Sequence, residues 1–252
     1  MSNKPFQLTN VLNDSMRNHA DNLQMPHEVY LQFFIDRFNE VKGKKIPQTY
    51  RDPKLKRTVV KATNPVLVVG AGPSYLANIE AIKRFKGKVI IFDVNFNHLV
   101  AHGVIPDYAL SLEKYARPYL FDIQFSDQIR DKTKFVFSAI TNNSLLLQCV
   151  AQRLEHERWV SDQEPRFSNV GTFGMCYAKM VLNADKIFLI GFEHDGVSEV
   201  PQTWEYWIAD FWYFVKQWPK ETIVNCTNGG RLYLEDYILD STLDSLELDL
   251  SL

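Results

Sequence analysis

Cysteine is scarce in this 252-residue chain: Cys149, Cys176 and Cys226, odd in number and far apart. They form neither the close pairs of a zinc site nor the even set of a disulfide framework, so reduced, buried thiols of a cytoplasmic protein are expected. Long apolar runs are also missing. None approaches the ~20 residues of a membrane span, and the first residues lack the basic-then-apolar pattern of a secretory leader. An excess of one charge is absent: 28 Lys and Arg stand against 30 Asp and Glu, a net charge of −2. A surface that is basic throughout, as for general nucleic-acid binding, is thereby excluded. No internal repeat is present, which removes solenoids and propellers.

What is present is apolar content of 46%, enough for a sizeable core in one large domain or in one domain with an appendage. Residues 1–26 are polar and carry no strong period. Over residues 27–41, Leu31, Phe34, Ile35, Phe38 and Val41 recur at helical spacing and predict an amphipathic helix. Residues 42–61 hold eight basic residues against the single acid Asp52. They read as a solvated linker, or as a basic flap over a polyanion. From residue 64 onward, strands and helices alternate. Strands are predicted at 66–69, 88–93, 108–112, 134–138, 186–190 and 222–226, with a weaker one at 157–160. Helices are predicted at 75–85, 96–102, 143–154, 172–183 and 203–217. Short, wholly apolar strands between helices indicate parallel βαβ units. The expected class is α/β: a Rossmann-like, doubly wound, mostly parallel sheet with helices on both faces and an N-terminal helical appendage. The predicted divisions are 1–63 for the helical segment and linker, 64–232 for the nucleotide-binding domain, and 233–252 for an acidic tail. Ligands of such sheets lie beyond the carboxyl ends of the strands, so those ends are where site residues are sought.

The first strand delivers Gly70-Ala71-Gly72-Pro73-Ser74. Glycines there permit positive φ and close approach of backbone to a ligand. Ser74 falls at about the helix N-cap, where it caps or meets phosphate, and exposed N–H groups at a helix start suit an anion. The pattern begins like G-x-G-x-x-G with Asp93 as ribose acceptor, but Tyr75 stands where the third glycine belongs. A tyrosine there obstructs helix–strand packing against a pyrophosphate, which argues against NAD or FAD.

Asp93 and Asn95 follow the second strand and could grip a ribose or base, or cap the next helix. Asp107 precedes the third strand and reads as structural, whereas Ser111 and Glu113 end it at the ligand edge. Gly171 and Thr172 open another helix, a second anion-binding geometry on the same edge. Glu193, His194 and Asp195 are the densest titratable cluster at a strand end, suited to a general base or a phosphate-bound metal. The run Trp204, Tyr206, Trp207, Phe211, Trp212, Tyr213, Phe214 and Trp218 reads as core or interface, or as a stacking platform for a heterocycle. After Arg231 the chain has six acids and no Lys or Arg. The alternating Leu246, Leu248, Leu250 and Leu252 allow an edge strand or an oligomer contact there.

In combination, Gly70-x-Gly72-Pro73-Ser74 with Asn78, Lys86-Gly87-Lys88, and His102-Gly103-Val104-Ile105-Pro106-Asp107-Tyr108 leading to Ser111-Leu112-Glu113 resemble the MptE-like family. So do Asn169-Val170-Gly171-Thr172, the strand ending Gly191-Phe192-Glu193, and Asn225-Cys226-Thr227-Asn228-Gly229-Gly230. This family includes 6-hydroxymethyl-7,8-dihydropterin diphosphokinases and the central domain of Maf flagellin glycosyltransferases. Its layout is similar to that of bacterial sialyltransferases using CMP-sugars. The resemblance implies a nucleotide-dependent transferase acting on a small-molecule acceptor, first of all ATP-dependent diphosphate transfer to a hydroxymethylpterin with Mg²⁺. A CMP-sugar glycosyltransferase and a non-catalytic nucleotide-binding module are the alternatives. It implies nucleotide contacts from Gly70, Gly72, Pro73, Ser74, Asp93, Asn95, Ser111, Glu113, Gly171 and Thr172. Metal would fall to Asp93 and Glu193, and catalysis to Glu193, His194 or Asp195. A homo-oligomer through the aromatic helix or the tail is a further expectation.

Overall fold

The structure is a computed structural model that describes residues 58–112, 127–139, 141–160, 167, 169–193, 201–227, 232, 238–240, 243 and 246–250. The expected helix 27–41, basic residues 42–57, and Glu113, His194 and Asp195 lie outside the described residues.

The elements run β1 (Thr58–Lys61), β2 (Pro65–Val69), a 3-10 turn (Pro73–Asn78), α1 (Ile79–Arg84), β3 (Lys88–Phe92) and α2 (Asp93–Ala101). Then come β4 (Tyr108–Ser111), α3 (Asp127–Lys132), β5 (Lys134–Ser138), α4 (Asn143–Ala151), β6 (His156–Trp159) and α5 (Val170–Met180). The chain continues through β7 (Lys186–Ile190), α6 (Pro201–Val215), β8 (Ile223–Asn225), β9 (Ile238–Asp240) and β10 (Leu246–Asp249). Eight strands form one sheet in the order β6-β5-β4-β3-β2-β7-β8-β9, and every pairing is parallel.

Strand side chains alternate between two cores, as the period of two requires. Leu67, Val69, Ile91, Ala109, Phe135, Phe188 and Ile190 face α1 to α4 through Ile82, Phe96, Leu99, Ile129 and Leu145. Val66, Val68, Ile90, Phe92, Val136, Ile187 and Leu189 face α5 and α6 through Phe173, Met175, Tyr177, Ile208, Phe211 and Trp212. Burial on both faces explains the unbroken apolar runs, since neither side of the sheet meets water. The aromatic helix is therefore core in its described part: Phe211, Trp212 and Phe214 are buried.

The tail is more than an acidic end. β9 extends the main sheet beyond residue 232, and β10 pairs in parallel with β1 as a separate two-stranded sheet. The edge-strand alternative describes it, with Leu248 and Val60 packed toward the first core. The amino edge of the main sheet is tied by side chains. The Tyr177 hydroxyl donates to Glu157 at 2.6 Å, and Lys134 pairs with the same carboxylate at 2.7 Å.

All three cysteines are free and buried. Burial pushes the Cys149 and Cys226 thiols up to about 12. The thiolate is the reactive form, so a maleimide or disulfide reagent at pH 8 should leave both unlabelled in the folded protein and label them in denaturant. Rapid labelling of either without unfolding would contradict this packing. No helix among the described residues is long and apolar enough to cross a membrane.

Candidate functional site

Strand order reverses at β2, because β3 lies on one side of it and β7 on the other. Doubly wound sheets take their ligands beyond the carboxyl ends of the strands at such a reversal, which here falls between the ends of β2 and β7. In this chain the loops leaving those two strands are laced together. The Gly70 N–H donates to the Ile190 carbonyl at 2.7 Å and the Gly72 N–H to the Gly191 carbonyl at 2.9 Å. The Gly191 N–H donates to the Ser74 hydroxyl oxygen at 2.9 Å, and the Ser74 N–H to Glu193 Oε1 at 2.6 Å.

This lacing explains the glycines. A Cβ on Gly70 would lie 2.9 Å from the Gly191 carbonyl carbon and from Phe192 Cδ2, and one on Gly72 would lie 2.8 Å from Glu193 Cδ. The close approach is thus to protein rather than to a ligand. Gly72 has φ −70, and the left-handed conformation falls at Gly191 instead, with φ +79. Ser74 is not the cap either: Gly72 holds that position, Pro73 follows at the first position of the turn, and the serine hydroxyl crosses to the β7 loop. Tyr75 is buried in the first core, edge-on to the His98 ring.

Glu193 is the anion at this helix start. It is 8% exposed; Oε1 takes the Ser74 N–H, and Oε2 is buried with no hydrogen-bond partner. Two unit negative charges ~4 Å apart repel by about 4 kcal/mol at an effective dielectric near 20. A phosphate drawn to the same N–H would meet that repulsion.

Asp93 and Asn95 sit at the carboxyl edge, both buried. Asp93 is the first residue of α2 rather than the end of the strand, and its carboxylate accepts from the Val94 N–H and the Ser111 hydroxyl. Asn95 accepts the Phe92 N–H at 2.9 Å and donates to the Val69 and Gly70 carbonyls at 3.0 and 2.9 Å. It thus ties α2 to the end of β2. Asp107 is structural, accepting the Val89 N–H.

α5 begins on the same edge. Asn169 caps it by accepting the Thr172 N–H, and its amide donates to the Thr172 hydroxyl. Gly171 leaves room for the Phe192 ring, whose carbon would be 2.8 Å from a Cβ. So Gly171 and Thr172 do lie beside the end of β7. On the other flank, the Arg158 guanidinium donates to the Ser138, Ala139 and Thr141 carbonyls and to Asn143 Oδ1, holding the β5–α4 loop. Sequence reasoning left Asn169 and Arg158 unassigned. Asn169 carries an N-cap signal, with an apolar helix following it; Arg158 carries none, because its acceptors come from another strand's loop.

The described residues do not by themselves fit an Mg²⁺ ion. It asks for six oxygens in near-octahedral array, several of them water or phosphate. Asp93 is engaged internally, the Glu193 oxygen without a hydrogen bond is buried against Gly72, and no group of three His, Cys, Asp or Glu residues comes together among the described residues.

An all-parallel sheet clad on both faces, with strand order reversing at β2, defines a Rossmann-like doubly wound α/β protein. The model of the family described as 6-hydroxymethylpterin diphosphokinase MptE-like matches residues 42–195, well over half of the chain. The chain belongs to the MptE-like family. Among solved structures it is similar to the Maf glycosyltransferase from Magnetospirillum magneticum AMB-1, at 17% identity and TM-score 0.55. That match covers 77% of this chain and 36% of the other, so the chain spans little more than a third of that enzyme. A protein from Lactobacillus plantarum aligns at 15% identity over 64% of this chain and 58% of its own, with a TM-score of 0.33. A search of curated proteins finds no match.

Proposed function

We propose that this chain is a nucleotide-dependent transferase whose nucleotide lies in the crevice between the loops after β2 and β7. The family description and the name of the Maf neighbour both denote group-transfer enzymes. Of the two chemistries, glycosyl transfer from a CMP-sugar or other nucleotide-sugar is the better supported. The observation that carries it is the engagement of the Gly70, Gly72 and Ser74 N–H groups within the protein. ATP-dependent diphosphate transfer asks the site to neutralise a triphosphate with several donors or with Mg²⁺. In the glycosyl reading the acceptor hydroxyl oxygen attacks the anomeric carbon, and the bond from that carbon to the phosphate oxygen breaks. The hydroxyl proton passes to a base, a role assigned to His194 or Asp195. In either reading Asp93, Ser111, Gly171 and Thr172 are the residues proposed to stand at the crevice, with Asn95 supporting it from beneath.

The test is a thermal-shift panel of ATP, CMP and CMP-sugars with and without Mg²⁺. A ligand at 100 times its Kd adds about 2.7 kcal/mol, which for a chain of this size is an upward shift of about 8 °C. CMP or a CMP-sugar should produce it. Mg²⁺-dependent AMP release from ATP with a hydroxymethylpterin would move the reading to the diphosphokinase. Silence across the panel would end the nucleotide reading.

A further inference from the structure

We infer that Glu193 receives hydroxyl groups of the ligand, so that sugar hydroxyls rather than a phosphate meet the loop at residues 70–74. This rests on the nucleotide reading above and deepens it by orienting the nucleotide. Three observations carry it. The loop has spent most of its backbone donors: Gly70, Gly72 and Ser74 give their N–H groups to Ile190, Gly191 and Glu193, the Tyr75 N–H returns to the Gly72 carbonyl, and Pro73 has none, which leaves the Ala71 N–H and the Ser74 hydroxyl proton. The Ser74 N–H at the start of the turn already donates to a carboxylate, the Glu193 side chain. And Glu193 Oε2, more than nine-tenths buried, lacks a donor. A buried carboxylate oxygen without a donor is costly, and a ligand hydroxyl supplies what is missing. The other described carboxylate at this edge, Asp93, already accepts from the Val94 N–H and the Ser111 hydroxyl. A ribose diol is the hydroxyl-bearing part common to the nucleotides considered. A phosphate offers acceptors where the site already has one.

The experiment compares CMP with its 2′,3′-dideoxy counterpart by calorimetric titration of the wild-type chain, then of Glu193→Gln, with inorganic pyrophosphate as a third ligand. Loss of a hydrogen bond to a charged group predicts at least tenfold weaker binding of the dideoxy compound to wild type. In Glu193→Gln the amide oxygen keeps the Ser74 N–H while an NH₂ replaces Oε2, so the preference for ribose should shrink to under threefold. Pyrophosphate should bind wild type no better than millimolar. Equal binding of the two nucleotides to wild type, or micromolar binding of pyrophosphate abolished by Ser74→Pro, would overturn the inference while leaving the nucleotide reading standing. If CMP, ATP and CMP-sugars all fail to bind, the nucleotide reading itself falls and this inference with it. The wild-type comparison decides the matter even where Glu193→Gln does not fold.

Discussion

Gly191→Ala should lower the melting temperature by about 12 °C, whereas Gly103→Ala should lower it by about 4 °C. Both glycines hold left-handed φ, +79 at Gly191 and +81 at Gly103, so alanine carries the same backbone strain at each, about 1–2 kcal/mol. The surroundings differ. A Cβ on Gly103 meets only the end of Lys83, whose Cε would be 3.6 Å away and free to move. At Gly191 a Cβ would lie 2.7 Å from the Gly70 carbonyl carbon, and backbone held between two central strands cannot move aside. Overpacking there adds about 1–3 kcal/mol. Unfolding monitored by circular dichroism would check the pair. Equal losses at the two positions would mean that the loops after β2 and β7 are not locked together.

Asn95→Ala should destabilise the chain by about 3 kcal/mol, a fall of about 9 °C in Tm. The side chain is 2% exposed and makes three hydrogen bonds, all to backbone. Each buried bond contributes about 1 kcal/mol net, and backbone groups left without their partner deepen the loss. Asn95→Asp should be at least as damaging, because a carboxylate would then face the Val69 and Gly70 carbonyl oxygens in place of a donor. The measurement is made without any ligand. A residue that serves only to hold a nucleotide would leave that stability unchanged, so an unaltered Tm in Asn95→Ala would remove the structural assignment. The loss, if found, places Asn95 as the support beneath the crevice floor rather than as a ligand contact.

The sheet's centre is readable from local pattern. Residues 134–138 and 186–190 form strands with the boundaries their apolar runs predict, and 66–69 gains only Pro65. Burial on both faces leaves no room for polar residues in such strands. The helices expected at 143–154 and 172–183 are found at 143–151 and 170–180, each ending three residues earlier than its apolar period suggests. Three pieces escape this reading. β1 looks like the end of a basic linker, α3 is six residues long with one buried side chain, and β9 contributes three residues at an edge. Their order comes from partners distant in the chain, such as the pairing of Thr58 with Leu246. A short element with one apolar contact is decided by what packs on it.

The same division runs through the site. Local chemistry is enough to single out Gly70, Gly72 and Ser74 as a turn between strand and helix, and to single out Glu193 as an acid at a strand end. It is also enough, with Tyr75, to argue against a dinucleotide fingerprint. It cannot say what the turn touches. The Ser74 N–H and the Glu193 carboxylate are 119 residues apart and meet only because β2 and β7 are neighbours in register. Free donors and open acceptors are what remains after the protein has satisfied itself, and that remainder depends on every neighbour brought in by the fold. A glycine pair that reads as an anion cradle in one dimension is therefore, in three, a seam already closed by its own carboxylate.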